Sequence, residues 1–348
     1  MKDNKSSFTI IYILLFFLVF FCNSLFAQEQ KIINVSLGWH SNTEFSGIYT
    51  AQKYGLYKKL GLKVNIVDNQ SKDSETILQN NAQVFFRSQH RIMNDRLKGV
   101  PIKAFAAKFQ VTPNCIMTAK NGRIKNPKDF KGKSLGYHYD SDLNYYKVFL
   151  SKQKIKLSSV NFVKMNSFDT HELIQLFKSK KIDALIAWQT NWPVKFSLLH
   201  FPVKVFSLYQ SGFSLYGNMY AASEEYIANN KELLKKFLMA TNKGWAIAFS
   251  HPKEIATYIT LNYYPKDKYI NGSYPLTLKH QISKLILSKQ FLLEGVGIDY
   301  LGLVSQARLT ASIDFAKKYQ IIPSSAKISA EDFYSSEIIH NLYGARLQ

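Results

Sequence analysis

Residues 32–67 read IINVSLGWHSNTEFSGIYTAQKYGLYKKLGLKVNIV, and this stretch decides the fold class. Residues 32–37 and 62–67 are short runs rich in Ile and Val, which favour β-strands. Between them, residues 45–60 place apolar side chains at helical spacing and end at Gly61, a residue typical of the position just after a helix. A strand, a helix and a second strand predict an α/β protein with a parallel or mixed sheet covered by helices.

The same alternation continues along the chain and then restarts. Strands are also predicted at residues 83–86 and 102–106, and, after Thr112-Pro113, at 115–118, 134–137, 160–163, 183–187 and 203–207. Asn126-Pro127 is a typical helix opening. After a last strand at 219–222, helical patterns follow at 231–249, 252–262, 277–287 and 303–319. These helices have no strands of their own to cover, so we expect them to pack back on the first sheet.

This order predicts two lobes between which the chain passes twice, near residues 109–114 and 213–219. Two crossings make a hinge, about which lobes can close on a ligand. The predicted organisation is a signal peptide at 1–27, the first part of lobe 1 at 28–110, lobe 2 at 111–215, and the return strand and helical C-terminal part of lobe 1 at 216–348.

The first residues of the chain have the order of an export signal. Lys2 and Lys5 precede an apolar run at residues 10–21, and the small residue Ala27 follows. The apolar run is shorter than the roughly 20 residues of a membrane-spanning helix. We expect cleavage after Ala27 and a periplasmic mature protein; an uncleaved anchor, or a lipoprotein formed at Cys22, is the alternative.

The positive charge is strong but dispersed. The chain has 45 Lys and Arg against 24 Asp and Glu, a net charge of +21. Such a balance can indicate binding to nucleic acid or to an anionic membrane. The lysines are spread along the chain in runs no longer than the pair Lys180-Lys181, which is typical of a solvated surface. Together with the export signal, this argues against a nucleic-acid partner. Removal of Cys22 with the signal leaves Cys115, and one thiol cannot form an internal disulfide.

Several segments resemble a known family when they are taken in order. Residues 39–51 read WHSNTEFSGIYTA, which is similar to the family's opening W-x-x-N-x-x-x-x-G-x-Y-x-A. Further matches are GLYKKLGL at 55–62, KGVP at 98–101, IKNPKDFKGK at 124–133, NKGW at 242–245 and SIDF at 312–315. Their order and spacing resemble the solute-binding proteins of ABC importers related to the thiamine-pyrimidine biosynthesis proteins.

The resemblance implies a periplasmic-binding-protein-like fold, in which two α/β lobes with mixed sheets are joined by a two-segment hinge and the ligand lies in the cleft. Relatives bind pyrimidine precursors of thiamine, other heterocycles, or sulfonates and similar anions. We therefore expect a monomer without cofactor or metal that captures a small planar ligand, heterocyclic and similar to a thiamine-pyrimidine precursor, for an ABC permease. A ligand-sensing protein that signals to a membrane partner is the alternative.

The first lobe offers polar and aromatic residues after its strands, where ligands of open α/β sheets lie. Trp39 could stack on a flat ligand or belong to the core, and Asn42 could donate and accept hydrogen bonds. Glu44 could pair with an amino group of a heterocycle or be a first-turn charge favoured by the helix dipole. Gln89 and Gln110 follow the third and fourth strands, so they are predicted at the cleft floor, with a surface position as the alternative.

The second lobe and the second crossing offer four further candidates. Tyr137 follows a strand and is predicted to form an aromatic wall. Trp188 and Asn191 belong to a turn with two tryptophans, which suits a clamp on a flat ring. Many relatives carry a carboxylate beside the position of Asn191, where this chain has Trp192. Tyr216 lies at the second crossing, where it could reach the cleft or pack within the hinge.

Catalysis is the remaining alternative. One branch of the family makes the thiamine pyrimidine with a pyridoxal-phosphate lysine and a nearby histidine, and these positions fall near Arg87 and Arg91. Arginine stays protonated and cannot form a Schiff base. Residues 211–218 also lack the cysteine cluster of that branch. We therefore expect a binding protein and not an enzyme.

Overall fold

The computed structural model describes residues 30–67 and 73–344. The signal peptide predicted at residues 1–27 lies outside the described residues. Over the two described ranges, no helix combines the length and the apolar character that crossing a membrane requires.

The first part of the chain alternates strands and helices as predicted. Its elements are β1 (Lys31–Ser36), α1 (Ser46–Lys53), α2 (Leu56–Lys59), β2 (Leu62–Val67), α3 (Ser74–Gln79), β3 (Val84–Ser88), α4 (Gln89–Leu97) and β4 (Ile102–Ala107). The single helix expected over 45–60 is divided at Gly55, whose φ is +62°. Glycine adopts this left-handed conformation without a steric penalty, so the chain can change direction between α1 and α2.

The second part repeats the alternation. Its elements are β5 (Asn114–Ala119), β6 (Ser134–Tyr137), α5 (Leu143–Lys152), β7 (Asn161–Lys164), α6 (Thr170–Lys178), β8 (Ala184–Trp188), α7 (Trp192–Leu198) and β9 (Val203–Ser207). The helix predicted to open at Asn126-Pro127 is only the short 3-10 helix Pro127–Phe130. A capping box between Asn126 and Asp129 caps its N-terminus.

The third part returns to a strand and continues in helices. Its elements are β10 (Asn218–Ser223), α8 (Glu224–Asn229), α9 (Lys231–Ser250), α10 (Pro252–Asn262), α11 (Tyr274–Leu293), α12 (Gln306–Lys318), α13 (Ala330–Phe333) and α14 (Glu337–Tyr343). The long helices predicted from the sequence are therefore present, and α11 is longer than predicted at both ends.

The strands form two mixed five-stranded sheets of the same design. The first sheet has the order β2-β1-β3-β10-β4, and the second has the order β7-β6-β8-β5-β9. In the first sheet β10 is antiparallel to both of its neighbours, and in the second sheet β5 is antiparallel to both of its neighbours. In each sheet the antiparallel strand is the one that the chain enters directly after crossing from the other sheet.

The two crossing segments lie side by side. The backbone N–H groups of Lys108 and Phe109 both donate to Asn218 O at 2.9 Å, and Gly217 N donates to Phe109 O at 3.1 Å. The lobe bounds expected at residues 110 and 215 fall in these segments, between β4 and β5 and between β9 and β10. We keep them as the proposed bounds.

The helical tail packs on the first sheet and its helices, as predicted. Helix α9 crosses α1, and α14 lies against β4. At the crossing of α9 and α1, a Cβ atom on Gly244 would collide with the carbonyl oxygen of Gly47, so the two helices approach closely because both residues are glycine. Helix α11 also contacts α7 of the second lobe, which the sequence did not predict. This contact joins the two lobes on one side of the space between them.

Candidate functional site

A cavity of about 250 Å³ lies between the two lobes. Five of the nine residues predicted from the sequence line its wall: Trp39, Glu44, Trp188, Asn191 and Tyr216. The carboxyl ends of β1, β3 and β8 and the two crossing segments contribute to the wall, which is where open α/β sheets place their ligands.

Two further predicted residues lie outside the cavity wall. Asn42 is buried and caps the 3-10 turn Thr43–Phe45, with its Oδ1 accepting from Glu44 N at 2.8 Å and from Lys284 Nζ at 3.0 Å. It therefore supports two residues of the cavity wall instead of lining it. Tyr137 is half-buried, and its ring meets the ring of Phe162 edge-on at 6.5 Å.

Gln89 and Gln110 do not form the cleft floor. The Oε1 atom of Gln89 accepts from Tyr216 N at 2.8 Å, and its Nε2 donates to Ser312 Oγ. The Nε2 atom of Gln110 donates to Leu303 O at 2.9 Å. Both amides satisfy polar groups inside the protein, and buried polar groups need such partners. A polar residue after a buried strand therefore has a structural explanation at these two positions.

An aromatic wall, formed by His138, Phe168, Trp188 and Trp192, covers the second-lobe side of the cavity. Phe168 stacks on His138 with ring centroids 4.2 Å apart and on Trp192 at 6.1 Å. His138 Nε2 lies 2.8 Å from Ser167 O, a contact that fixes the imidazole ring. Phe168 remains 44% exposed. It was missed in the sequence because it lies in an irregular loop, although that loop follows the strand β7.

Trp39 faces this wall from the first lobe. Its ring meets the ring of Phe168 at a centroid distance of 6.4 Å and an interplanar angle of 63°. Trp188 packs edge-on against Phe109 of the first crossing segment at 5.6 Å. Aromatic rings from both lobes therefore border the same cavity. An arrangement of this kind suits a flat molecule that offers a π-face.

A charged wall, formed by Glu44, Arg87, Arg91 and Lys284, covers the first-lobe side. Behind it, Lys108 Nζ is 2.9 Å from Glu44 Oε1, and the lysine side chain is 1% exposed. The same ammonium group lies 4.1 Å from the ring centroid of Phe45 and 4.6 Å from that of Phe86. Burial lowers the pKa of Lys108, and Glu44 opposes this shift. The pair must stay intact, because an unpaired charge at this depth is costly.

Lys284, on α11, is fully buried and reaches the cavity. Burial lowers its pKa to about 8; Glu44 raises it, while the nearby Lys195 and Lys108 lower it further. Its Nζ donates to Asn42 Oδ1 at 3.0 Å. In the described part of the chain, no carboxylate oxygen lies within ion-pair distance of this ammonium group.

The two arginines of the charged wall differ in their partners. Arg87 pairs with Asp95, whose Oδ2 lies 3.0 Å from Nη2 and 3.1 Å from Nε. Arg91 Nη2 donates to Ser141 Oγ of the second lobe at 3.2 Å. His90 lies between the two arginines in the sequence. Burial is the main reason that its pKa falls to about 3, and Arg91 and Arg87 lower the pKa further, so this imidazole is neutral at pH 7.

Further contacts hold the lobes together around the cavity. Tyr209 OH donates to Glu294 Oε1 at 2.8 Å, and His171 contacts the side chain of Asn271. The described residues contain no group of three or more His, Cys, Asp or Glu that could hold a metal ion. The lobes are thus closed over an inner space that carries rings on one side and charges on the other.

Comparison with known proteins gives a family match and a set of relatives. The family described as NMT1/THI5 like matches residues 42–255. The riboflavin-binding protein RibY of Chloroflexus aurantiacus is 22% identical over 245 residues, which is 67% of this chain and 67% of that protein. These findings confirm the resemblance drawn from the sequence.

Solved structures confirm the fold. The alkanesulfonate-binding protein SsuA from Xanthomonas axonopodis pv. citri, bound to MOPS, has a TM-score of 0.64 at 11% identity and covers 89% of this chain and 100% of its own. The desulfurization enzyme DSZB has a TM-score of 0.59 at 9% identity, with 91% and 99% covered. The two-lobed, periplasmic-binding-protein-like fold is therefore shared by binding proteins and at least one enzyme, so the fold by itself does not decide between them.

Proposed function

This chain belongs to the NMT1/THI5-like family, and we propose that it is a periplasmic solute-binding protein that captures a small planar molecule between its lobes. The observation that carries the proposal is the inter-lobe cavity bordered by rings from both sides, with Trp39 on the first lobe and the aromatic wall on the second. A ligand that contacts both lobes stabilises their closed arrangement, because it binds the open form through one lobe only.

The planar character of the ligand is supported by the geometry of the rings. Phe168 stacks on the buried rings of His138 and Trp192 with interplanar angles of 22° and 24°, so these rings hold the partly exposed Phe168 as a fixed flat surface. A heterocycle similar to a thiamine-pyrimidine precursor can stack on such a surface. The name of the relative from Chloroflexus aurantiacus, a riboflavin-binding protein, points to the same class of flat heterocyclic ligands.

We propose an ABC permease as the partner and the periplasm as the location. Both follow from the export signal expected in the sequence and from the similarity in fold to importer binding proteins. A binding role, not catalysis, is supported by Arg87 and Arg91, which lie near the positions that the resemblance assigns to a Schiff-base lysine and a histidine. Arg87 is moreover engaged by Asp95.

The test is a thermal-unfolding screen of residues 28–348 against pyrimidines, flavins and aromatic sulfonates, with linear sulfonates for comparison. A ligand at a hundredfold excess over its dissociation constant should stabilise the protein by about 2.7 kcal/mol. Trp39→Ala and Trp188→Ala should weaken binding of the best planar compound. Tyr319→Ala, a half-buried ring outside the cavity, is the control. Absence of any shift with planar compounds, or unchanged affinity in both tryptophan variants, would contradict the proposal.

A further inference from the structure

We infer that the ligand carries an acidic group, a carboxylate, sulfonate or phosphate, which binds at Lys284 where the two lobes meet. This inference rests on the proposed function and adds the chemical class of the ligand, a planar organic anion. It also assigns Lys284 as the residue that selects this class. The charges that are buried around the cavity, and the side chains that neutralise them, point to this site.

The first step is that the buried charges near Lys284 do not balance. Lys108, Glu44 and Lys284 form a group of two cations and one carboxylate, and the Oε1 atom of that carboxylate is bound by Lys108. The hydrogen-bond partner of Lys284 is the neutral amide oxygen of Asn42. Since a buried charge requires a counter-charge or leaves a substantial penalty, this group needs one more anion.

The second step is that closure brings another cation to the same place. Lys195 lies on α7 of the second lobe, which contacts α11. The positive charge of Lys195 lowers the pKa of Lys284. Asp169 is the acidic side chain that favours the charge on Lys195, but its Oδ1 accepts from the backbone N–H groups of His171 and Glu172 at 2.9 Å each. No carboxylate within the described ranges is at ion-pair distance from Lys284 or Lys195, so the contact between the lobes concentrates positive charge.

The third step is that His40 and Thr190, two further polar side chains near these lysines, carry no negative charge. Burial lowers the pKa of His40 to about 3, with Lys284 and Lys195 lowering it further, so this imidazole is uncharged at pH 7. Thr190 of the second lobe is 1% exposed, and its Oγ1 has no hydrogen-bond partner among the described residues. It lies beside His280, one helical turn before Lys284. The contact between α7 and α11 therefore places further positive charge near Lys284, the residue of this group that lines the cavity.

Arg87 and Arg91 are less suited to the same role. Arg87 has a carboxylate partner in Asp95. Arg91 donates to Ser141 and lies near Asp142, whose pKa it lowers against the upward shift caused by burial. An acidic ligand group at Lys284 would neutralise the excess charge of both lobes at once. Binding of the anion and closure of the lobes are therefore coupled, and a neutral ligand of the same shape leaves the repulsion in place.

The experiment compares acids with their amides on the same ring: nicotinate with nicotinamide, and naphthalenesulfonate with naphthalenesulfonamide. Dissociation constants are measured by isothermal titration at pH 7 on residues 28–348. We expect the acid to bind roughly ten- to hundredfold more tightly, the range of a hydrogen bond to a charged group. Lys284→Met should abolish this preference and Lys284→Arg should retain it. Lys279→Met, an exposed position on the same helix, is the matched control and should change nothing.

The possible outcomes separate the two proposals. Equal affinity for acid and amide in the wild-type protein, or a preference that survives in Lys284→Met, overturns the inference and leaves the proposed function intact. Failure of both members of both pairs to bind overturns the inference and the planar ligand together. The wild-type comparison of acid and amide does not require any variant to fold.

Discussion

The two sides of the cavity are lined by different kinds of side chain, charged on the first lobe and aromatic on the second. The first lobe presents the charged wall, in which Glu44 is paired with the buried Lys108 and Arg87 with Asp95. The second lobe presents the aromatic wall, whose outermost ring, Phe168, is 44% exposed. Glu44, Arg87 and Lys284 of the first wall are buried, while Phe168 of the second wall keeps exposed surface. We propose that the charged wall contributes to stability and ligand selection, and that the aromatic wall contributes to affinity.

Breaking the buried ion pair should have the largest effect. Glu44→Gln leaves Lys108 buried without its counter-charge, and the loss of one member of a buried pair destabilises proteins by about 3–5 kcal/mol. Chemical denaturation of the mature chain measures the change in the free energy of unfolding. Lys103→Met is the control, since Lys103 on β4 pairs with Glu224 in a partly exposed bridge that is worth at most about 1 kcal/mol. Equal losses in the two variants would contradict the buried character of the charged wall.

The pH dependence of stability should show the cost of burying Lys284. Its pKa is about 8 in the folded protein against 10.5 for an unperturbed lysine. Between these values the unfolded chain holds a proton that the folded chain has released, so stability rises with pH; below pH 8 the full cost is present. The unfolding free energy of the wild type, relative to that of Lys284→Met, should therefore rise by about 3 kcal/mol from pH 8 to pH 10.5.

The control for this titration is Lys279→Met, which lies on the same helix and is exposed. It should follow the wild-type curve at every pH. A Lys284→Met curve that runs parallel to the wild type over this range would show that Lys284 is hydrated and would remove the basis of the charge imbalance.

The aromatic wall should respond in the opposite way. Phe168→Ala removes an exposed ring, so the free energy of unfolding should change by less than about 1 kcal/mol. Because base-like rings stacked on aromatic side chains contribute about 1–3 kcal/mol each, binding of a planar ligand should weaken by that amount. Isothermal titration and denaturation separate the two effects, with the exposed Leu157 of the same lobe mutated to Ala as the control. A loss of stability without a loss of affinity would contradict this prediction, because it would show that Phe168 stabilises the fold and does not contact the ligand.

The two tryptophans of the cavity could be recognised in the sequence, whereas the contacts of the charged wall could not. Trp39 and Trp188 each follow a predicted strand. Their position at the edge of a sheet can therefore be inferred from the local sequence. The charged wall joins Glu44 to Lys108 and Lys284, which are far apart in the chain and meet only because the helical tail packs on the first sheet. No local pattern reveals such a contact.

Three predicted residues lie outside the cavity wall for a common physical reason. Asn42, Gln89 and Gln110 are polar residues after strands, as ligand-binding residues are, but their side chains satisfy backbone and side-chain groups that the fold has buried. The alternation of strands and helices was predictable, because the period of apolar residues reports burial directly. The division of the first helix at Gly55 and the contact between α11 and α7 depend on tertiary structure and were not.

The most direct test of a ligand held between two unlike walls is a crystal structure of residues 28–348 with naphthalenesulfonate. We predict that the ring lies in the inter-lobe cavity against the aromatic wall and that the sulfonate oxygens contact Lys284 Nζ. Density for the ligand on the outer surface of one lobe, with the inter-lobe cavity empty, would contradict the account.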